Sequence, residues 1–274
     1  MMVAGRAAEC GARVVLLEKT RKPGVKILMS GGTRCNVTNV GGLYNRRRVS
    51  GPVDPAIDVA KMGDVRKIQA AFSRTAGSFL APALRKFDVD RTVAMFEAEG
   101  VPLKVEANGK IFPASDRAVD VLAALMRRLE RSGAEVRYLN PVKSLERVED
   151  GFRIDLPDGP LLARRVVLAV GGRSYPGCGT TGDGYAIAQA FGHTIIPPRP
   201  ALVPLKVGTE WAAALRGISL QDVSVSVHDG GGRKLLERRE AILFTHAGLS
   251  GPAIMDVSRE AAADEGDRRE LRID

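Results

Sequence analysis

An α/β fold in three layers, carrying a β-meander and followed by a smaller, mostly β domain, is predicted by three observations. First, Met1–Cys10 reads as a helix stopped by Gly11, and Arg13–Glu18 is a β-branched and leucine run of the buried parallel-strand type that ends in an acid. Second, four short strand segments between Ala134 and Arg165 are separated by the turns Glu149-Asp150-Gly151 and Pro157-Asp158-Gly159, and the apolar run Val166–Val170 then leads straight into Gly171-Gly172. Third, after Pro197, Pro198 and Pro200 the pattern changes to strands and glycine-rich loops. The domains are accordingly predicted as 1–200 and 201–274.

Composition narrows the class. The chain has 274 residues, 45% hydrophobic and 27% charged, which is ordinary for a globular protein. Its net charge of +9 permits anionic ligands, but the excess is spread out and the densest run is Arg46-Arg47-Arg48. Only 5% of residues are aromatic, which speaks against a stacking platform for nucleic acid. Cys10, Cys35 and Cys178 lie far apart with no CxxC, so neither a metal site nor a redox pair is indicated, and a reducing compartment is expected. No apolar run reaches the ~18 residues of a membrane helix, and no signal peptide is evident, so the chain reads as cytoplasmic.

Taken in order, the helix, the glycine and the strand ending at Glu18 form the second half of a βαβ dinucleotide unit, where such an acid binds ribose hydroxyls. Next comes ILMSGGTRCNVTN (27–39), read as a donor-rich loop: glycines let backbone N–H groups approach a ligand, and Arg, Asn, Ser and Thr add donors. Val40–Lys61 is rich in Gly, Pro and Arg and is expected to be a long exposed loop. Gly63–Gly100 reads as two or three helices, with Phe72, Phe79, Leu80, Leu84, Phe87, Val93 and Phe96 expected in the core. Asn108-Gly109 between Val101–Val105 and Lys110–Phe112 signals a hairpin. Ser115 is the expected N-cap of a helix to Arg131, with Val119, Leu122, Leu125, Met126 and Leu129 as its apolar stripe. The loop Arg173–Gly184 opens a helix near Asp183 that ends at Gly192. In the tail, Leu202–Val207, Ile218–His228 and Ala241–Phe244 are strand-like, Thr245–Pro252 is a second glycine-rich loop, a helix follows to about Ala263, and Arg272–Asp274 begins another strand.

That order of parts is the wiring of glutathione-reductase-type FAD domains. The strings ILMSGGTRCNVTN, NGKIFPASDRA, VVLAVGGRSYPGCGTTGDGY, FGHTIIPPRPALVPL and FTHAGLSGPAIMDVS closely resemble the YhiN/BaiN-like flavoproteins, also called aminoacetone-oxidase-family FAD-binding enzymes or NAD(P)/FAD-dependent oxidoreductases. The resemblance covers nearly the whole chain. It implies FAD as cofactor, NAD(P)H as electron partner and an unidentified small organic substrate. By the resemblance, Glu18 would hold the adenosine ribose. Lys26, Ser30, Gly31, Gly32, Arg34, Cys35, Asn36, Thr38 and Asn39 would line the flavin and its diphosphate. Val142 would present its backbone to adenine, Gly171 and Gly172 would pass close to the nucleotide, and Thr181, Gly182 and Asp183 would lie near the flavin. Full family members carry a strand and a glycine-rich phosphate turn ahead of Met1 and a further segment after the tail. The chain is therefore expected to be truncated at both ends and to bind FAD weakly or not at all.

Several residues carry two readings. Arg34 would stabilise negative charge on reduced flavin, or serve as a phosphate or structural arginine. Cys35 has no partner thiol in sequence, so a packed small residue is expected. His246 is the best acid/base candidate of three histidines. His193 is expected to cap or pack, and His228 to be a strand-end surface residue. No GxSxG, HExxH or P-loop occurs, which leaves hydrolase and kinase chemistry without an anchor. The leading expectation is an FAD-dependent oxidoreductase. The alternatives are a flavin-dependent RNA-modifying protein, which would need a salt-sensitive basic face, and a non-catalytic fragment. Nothing in the sequence specifies the oligomeric state.

Overall fold

The computed structural model describes residues 1–40, 51–52, 65–70, 72, 74–106, 108–207, 210–262 and 268–274. These divide into two compact units, 1–193 and 194–274.

The first unit opens with α1 (Met2–Glu9). Gly11, at φ +85°, ends it by turning the chain left-handed, with its N–H on the Ala8 carbonyl (2.8 Å). The chain then enters β1 (Val15–Leu17) and α2 (Val25–Met29). The latter overlaps, at Ile27, Leu28 and Met29, the stretch expected to be loop. After β2 (Thr38–Asn39), the sequence up to residue 64 falls outside the described residues except Val40, Gly51 and Pro52, so the expected long loop does too. Three helices follow: α3 (Val65–Ala70), α4 (Arg74–Lys86) and α5 (Val89–Ala98). Asp88 caps α5 by accepting the Arg91 N–H at 2.8 Å. Of the expected core residues here, Val93 and Phe96 are buried, whereas Phe72, Phe79 and Phe87 are exposed. Helical spacing identifies a face, but not whether another element covers it.

The hairpin forms where Asn108-Gly109 placed it, as β3 (Leu103–Val105) and β4 (Lys110–Pro113), and β2 pairs with the other edge of β4. Helix α6 (Ala118–Arg131) buries Ala118, Val121, Ala124, Leu125 and Leu129. The buried face is thus rotated from the expected stripe, and Val119 is exposed. Ser115 does not cap α6; its hydroxyl bonds to Asp120 (2.6 Å), and the Ala118 N–H is satisfied by the Thr33 carbonyl (3.1 Å). A tertiary contact thus does the work assigned to a local one. The core of this unit joins α5, the hairpin and α6, and includes Cys35.

Strand β5 (Glu135–Arg137) pairs in parallel with β1, Leu16 opposite Val136. The β-meander follows as β6 (Ser144–Val148), β7 (Gly151–Leu156) and β8 (Gly159–Ala163), in that spatial order. The expected strand Val166–Val170 is not formed. The segment joins no ladder among the described residues, and Val167, Leu168 and Val170 are exposed. An apolar β-branched run supplies strand propensity, but a strand needs a neighbour to take its N–H and C=O groups. The unit ends with α7 (Asp183–Ala190), whose last turn is closed by the His193 backbone N–H on the Ala188 carbonyl (3.1 Å).

The second unit is one antiparallel sheet with a helix against it. Its elements are β9 (Leu205–Lys206), α8 (Glu210–Ala214), β10 (Ser219–Asp229), β11 (Lys234–Thr245), β12 (Gly248–Ser250), α9 (Pro252–Ala261) and β13 (Arg269–Ile273). The strand order is β13-β10-β11-β12-β9. Ala253, Ile254 and Val257 of α9 are fully buried among Val225, Val227, Ile242, Phe244 and Leu249. The expected loop Thr245–Pro252 contains β12, because Gly248, at φ +140°, brings the backbone so near Leu205 that a Cβ would lie 2.2 Å from its carbonyl oxygen. His228 is also not a surface residue. It is 8% exposed, with Nε2 3.1 Å from the Ser226 hydroxyl and Nδ1 3.0 Å from the Gly232 carbonyl oxygen.

Candidate functional site

The connection from α2 to β2 runs through four left-handed residues. Gly31, Gly32, Thr33 and Cys35 have φ of +56°, +66°, +70° and +64°. Left-handed backbone is costly at the two residues that are not glycine and persists only where the surroundings enforce it. Here the Cys35 N–H bonds to the Ser30 carbonyl (3.0 Å), the Thr33 carbonyl accepts from Ala118, and Val37 N–H reaches Ile111 (2.8 Å). The turn is thereby tied at both ends. The N–H groups of Gly31, Gly32 and Thr33 have no partner among the described residues, and all three residues are exposed. Cys35 is buried, and burial pushes its thiol up from the ordinary range. That agrees with a packed residue and not with a thiolate.

Arg34 is bonded to the hairpin and to the segment that follows it. Its guanidinium forks onto Glu106 (Nη1–Oε1 2.5 Å, Nη2–Oε2 3.4 Å), reaches Asp116 (3.3 Å) and stacks 4.1 Å from the Phe112 ring centre. Lys104 holds the other oxygen of Asp116 at 2.5 Å. Hydrogen bonding from Lys104 and then Arg34 lowers the Asp116 carboxyl below the usual range. Arg34 and Lys104 are therefore balanced by Glu106 and Asp116, and the four charges sum to zero.

A second cluster joins the end of β1 to the glycine-rich loop before α7. Glu18 Oε1 accepts from the N–H and hydroxyl of Thr20 (both 2.8 Å), while its backbone continues the parallel pairing through Arg137 and Asn140. Lys19 reaches Asp183 (2.6 Å) and the Thr181 hydroxyl (2.8 Å); the bond from Lys19, and then the bond that the Thr181 hydroxyl donates to Asp183 (2.6 Å), hold the Asp183 carboxyl low. Lys26 donates to the carbonyl (2.6 Å) and hydroxyl (2.9 Å) of Ser174 and lies 5.5 Å from the Tyr175 ring centre. Cys178 Sγ is 2.8 Å from Met29 Sδ. The glycines pack against their own loop: a Cβ on Gly171 would lie 2.8 Å from Thr180, one on Gly182 2.6 Å from Arg173, and one on Gly172 3.2 Å from the Tyr185 hydroxyl.

Of the expected site residues, Glu18, Lys26, Gly171, Gly172, Thr181, Gly182 and Asp183 thus belong to one cluster. Ser30, Gly31, Gly32, Arg34, Cys35 and Asn36 belong to the turn. Thr38 and Asn39 are fixed in β2 opposite Ile111 and Lys110, and Val142 precedes β6, half-buried. His246 lies in the second unit, exposed, in the tight turn between β11 and β12, where the Thr245 hydroxyl donates to the Gly248 carbonyl (3.0 Å). Sequence reasoning missed Lys19, Ser174, Glu106, Asp116 and Lys104. For Lys19 a signal existed, since it adjoins the strand-end acid. For Glu106 and Asp116 none did, because their pairing with Arg34 spans 72 and 82 residues.

Three open amides in a fixed left-handed turn suit the polar edge or phosphates of a nucleotide cofactor, as backbone N–H clusters generally do. The donor set of the turn therefore fits FAD, whereas the polar groups of Lys19, Thr181 and Asp183 in the second cluster are already bonded to one another.

Fold and site together define a Rossmann-type nucleotide-binding α/β protein with an added antiparallel-sheet unit. Residues 59–252 match the HI0933-like protein Rossmann domain, and the chain belongs to that family, the YhiN/BaiN flavoproteins whose strings it carries. It is 32% identical over 261 residues to a ribosomal RNA dihydrouridine synthase of Escherichia coli, covering 94% of this chain and 57% of the relative. It is 30% identical over 274 residues to a 3-dehydro-bile acid delta(4,6)-reductase of Clostridium scindens, covering 99% and 60%. The chain thus spans under two thirds of the length of these relatives. A glycine oxidase structure from Geobacillus kaustophilus aligns over 99% of this chain and 79% of that one at 14% identity and a TM-score of 0.33.

Proposed function

We propose that the chain is the FAD-holding part of an oxidoreductase that reduces a ring carbon–carbon double bond conjugated to a carbonyl, with NAD(P)H as electron donor. The open amide turn at Gly31–Thr33, in a chain of this family, carries the reading. The relatives' names support the reaction class. Dihydrouridine differs from uridine by two hydrogens across a ring double bond, and a delta(4,6)-reductase removes ring unsaturation. FAD, when bound and reduced by NAD(P)H, supplies the hydride. The amides of Gly31, Gly32 and Thr33 bind its polar part, and Glu18 has a second carboxylate oxygen free of the Thr20 contacts for a ribose hydroxyl. Among the three histidines, His246, exposed in the turn between β11 and β12, is the candidate acid/base residue by its side-chain chemistry.

Because Lys19, Thr181 and Asp183 already bond one another, a nucleotide that takes up their polar groups must first displace those bonds, so binding is expected to be weak, and the purified chain to lack stoichiometric flavin. Titration with FAD should then give saturable quenching of flavin fluorescence, and the loaded protein should bleach under NADH or NADPH without oxygen. If no saturable binding appears even with millimolar-range FAD, the proposal fails.

A second reading, in which the ring is a uridine of ribosomal RNA, is favoured by the dihydrouridine synthases among the relatives, one of them at 28% identity from Haemophilus influenzae. Charge also supports it. Residues 1–193 carry 30 Lys and Arg against 20 Asp and Glu, and residues 194–274 carry 11 against 12. Reductive mapping of dihydrouridine in ribosomal RNA from cells with and without the gene separates the two substrates: loss of a modified position selects RNA, and an unchanged map selects the small molecule.

A further inference from the structure

Resting on the flavin reading above, we infer that Arg34 is a positioning residue that holds the Ser30–Asn36 turn open for the cofactor, and is not itself a ligand of the cofactor's phosphates or ring. Four observations carry this. The guanidinium's Nη1 donates to both carboxylates, Glu106 at 2.5 Å and Asp116 at 3.3 Å, and the group lies over the Phe112 ring, 4.1 Å from its centre. Glu106 is anchored through the hairpin turn, where its N–H bonds to the Lys110 carbonyl (3.0 Å) and its carbonyl accepts the Gly109 N–H (2.7 Å). Asp116 is anchored by Lys104. Phe112 also underlies Gly31, whose missing Cβ would lie 2.9 Å from the ring. One residue of the turn is thus stapled to the hairpin by charge, and another rests on the same ring.

The consequence is a division of labour. An arginine in a cluster of two cations and two carboxylates, Arg34 and Lys104 with Glu106 and Asp116, exerts little net field on an anion nearby. What it does instead is fix the backbone on either side, at Thr33 and Cys35, in the left-handed region where neither residue settles by preference. The three amides before it then stay exposed and aligned before any ligand arrives, which removes an ordering cost from binding.

A double-mutant cycle on the full chain tests this, with Arg34→Met, Glu106→Gln and the pair. Two quantities are read: the alkylation rate of Cys35 in the FAD-free protein, followed by peptide mass, and the Kd for FAD. A positioning role predicts that each single change raises Cys35 alkylation and weakens FAD binding by about tenfold or more, and that the pair costs no more than either alone. It also predicts that the absorption spectrum of the flavin at saturating FAD is the same in all four proteins. Weakened binding in Arg34→Met with unchanged or tighter binding in Glu106→Gln overturns the inference, as does a shifted flavin spectrum in Arg34→Met, since both mean direct contact. Should Arg34→Met fail to fold, Arg34→Gln takes its place in the cycle. If none of the proteins binds FAD, the flavin reading fails, while Cys35 alkylation still decides whether Arg34 and Glu106 act as one unit.

Discussion

Gly31 and Gly32 are sequence neighbours under different constraints. Both are left-handed, at φ +56° and +66°. A Cβ on Gly31 would lie 2.8 Å from the Asn36 nitrogen and 2.9 Å from the Phe112 ring, whereas one on Gly32 would meet nothing within 4 Å among the described residues. Gly32→Ala is therefore expected to cost only the left-handed term, about 1 kcal/mol, and Gly31→Ala about 3 kcal/mol, because the turn must also move off the hairpin. Denaturant unfolding of the two variants checks this, and equal losses would contradict it. FAD binding should follow the same order. The sequence made the pair of glycines visible as a ligand loop, since SGGTRCN holds little else than donors and permissive backbone. It did not reveal which glycine is packed, nor that Arg34 faces the hairpin. Both depend on Phe112 and Glu106, which are remote in the chain and carry no local pattern.

At the scale of elements, legibility followed locality. The hairpin at Asn108-Gly109, the helix stop at Gly11 and the meander turns are written in a few adjacent residues, and all three formed. Val166–Val170 was read from composition alone, and its strand depends on a partner that composition does not name. The amides of Val166–Val170 are therefore expected to exchange with solvent far faster than those of β7, which is bonded on both sides by β6 and β8. Comparable protection in the two segments would mean that Val166–Val170 is paired. A helix-to-helix contact gives a second expectation. Glu9 at the end of α1 accepts two bonds from Arg128 of α6, at 2.7 and 2.9 Å, and these bonds bring its carboxyl down to about 2. A carboxyl lowered in the folded state stabilises above its ordinary value near 4.5 and loses that contribution as pH falls toward 2. With the pair partly solvated, its worth is about 1 kcal/mol. Glu9→Gln should thus unfold more easily than the parent at pH 7, and the difference should vanish by about pH 2, as a pair of urea titrations at each pH would record.

At the scale of the molecule, the two units differ in charge, and the difference bears on what the first unit meets. The net excess of positive charge belongs entirely to residues 1–193, while residues 194–274 are close to neutral. The exposed connection near Ile195 and Ile196, ahead of Pro197 and Pro198, gives access to the units separately: Ile196 is 84% exposed and no regular structure covers it. Thermolysin is expected to cut there, on the N-terminal side of Ile195, whereas trypsin is blocked at Arg199 by Pro200. If the substrate ring is a uridine in RNA, the larger fragment should retain a uridine-containing RNA and lose affinity by ~10-fold or more between 50 and 200 mM salt, as phosphate contacts release fewer counterions. The smaller fragment should retain none. If the ring belongs to a small molecule, neither fragment should show that slope, and the positive charge of the first unit serves only the phosphates of the cofactor. Retention by the smaller fragment alone would contradict both outcomes, because a near-neutral sheet offers phosphates no net attraction. The salt slope of the larger fragment is thus the measurement that assigns the charge of residues 1–193 to a polymer or to a dinucleotide.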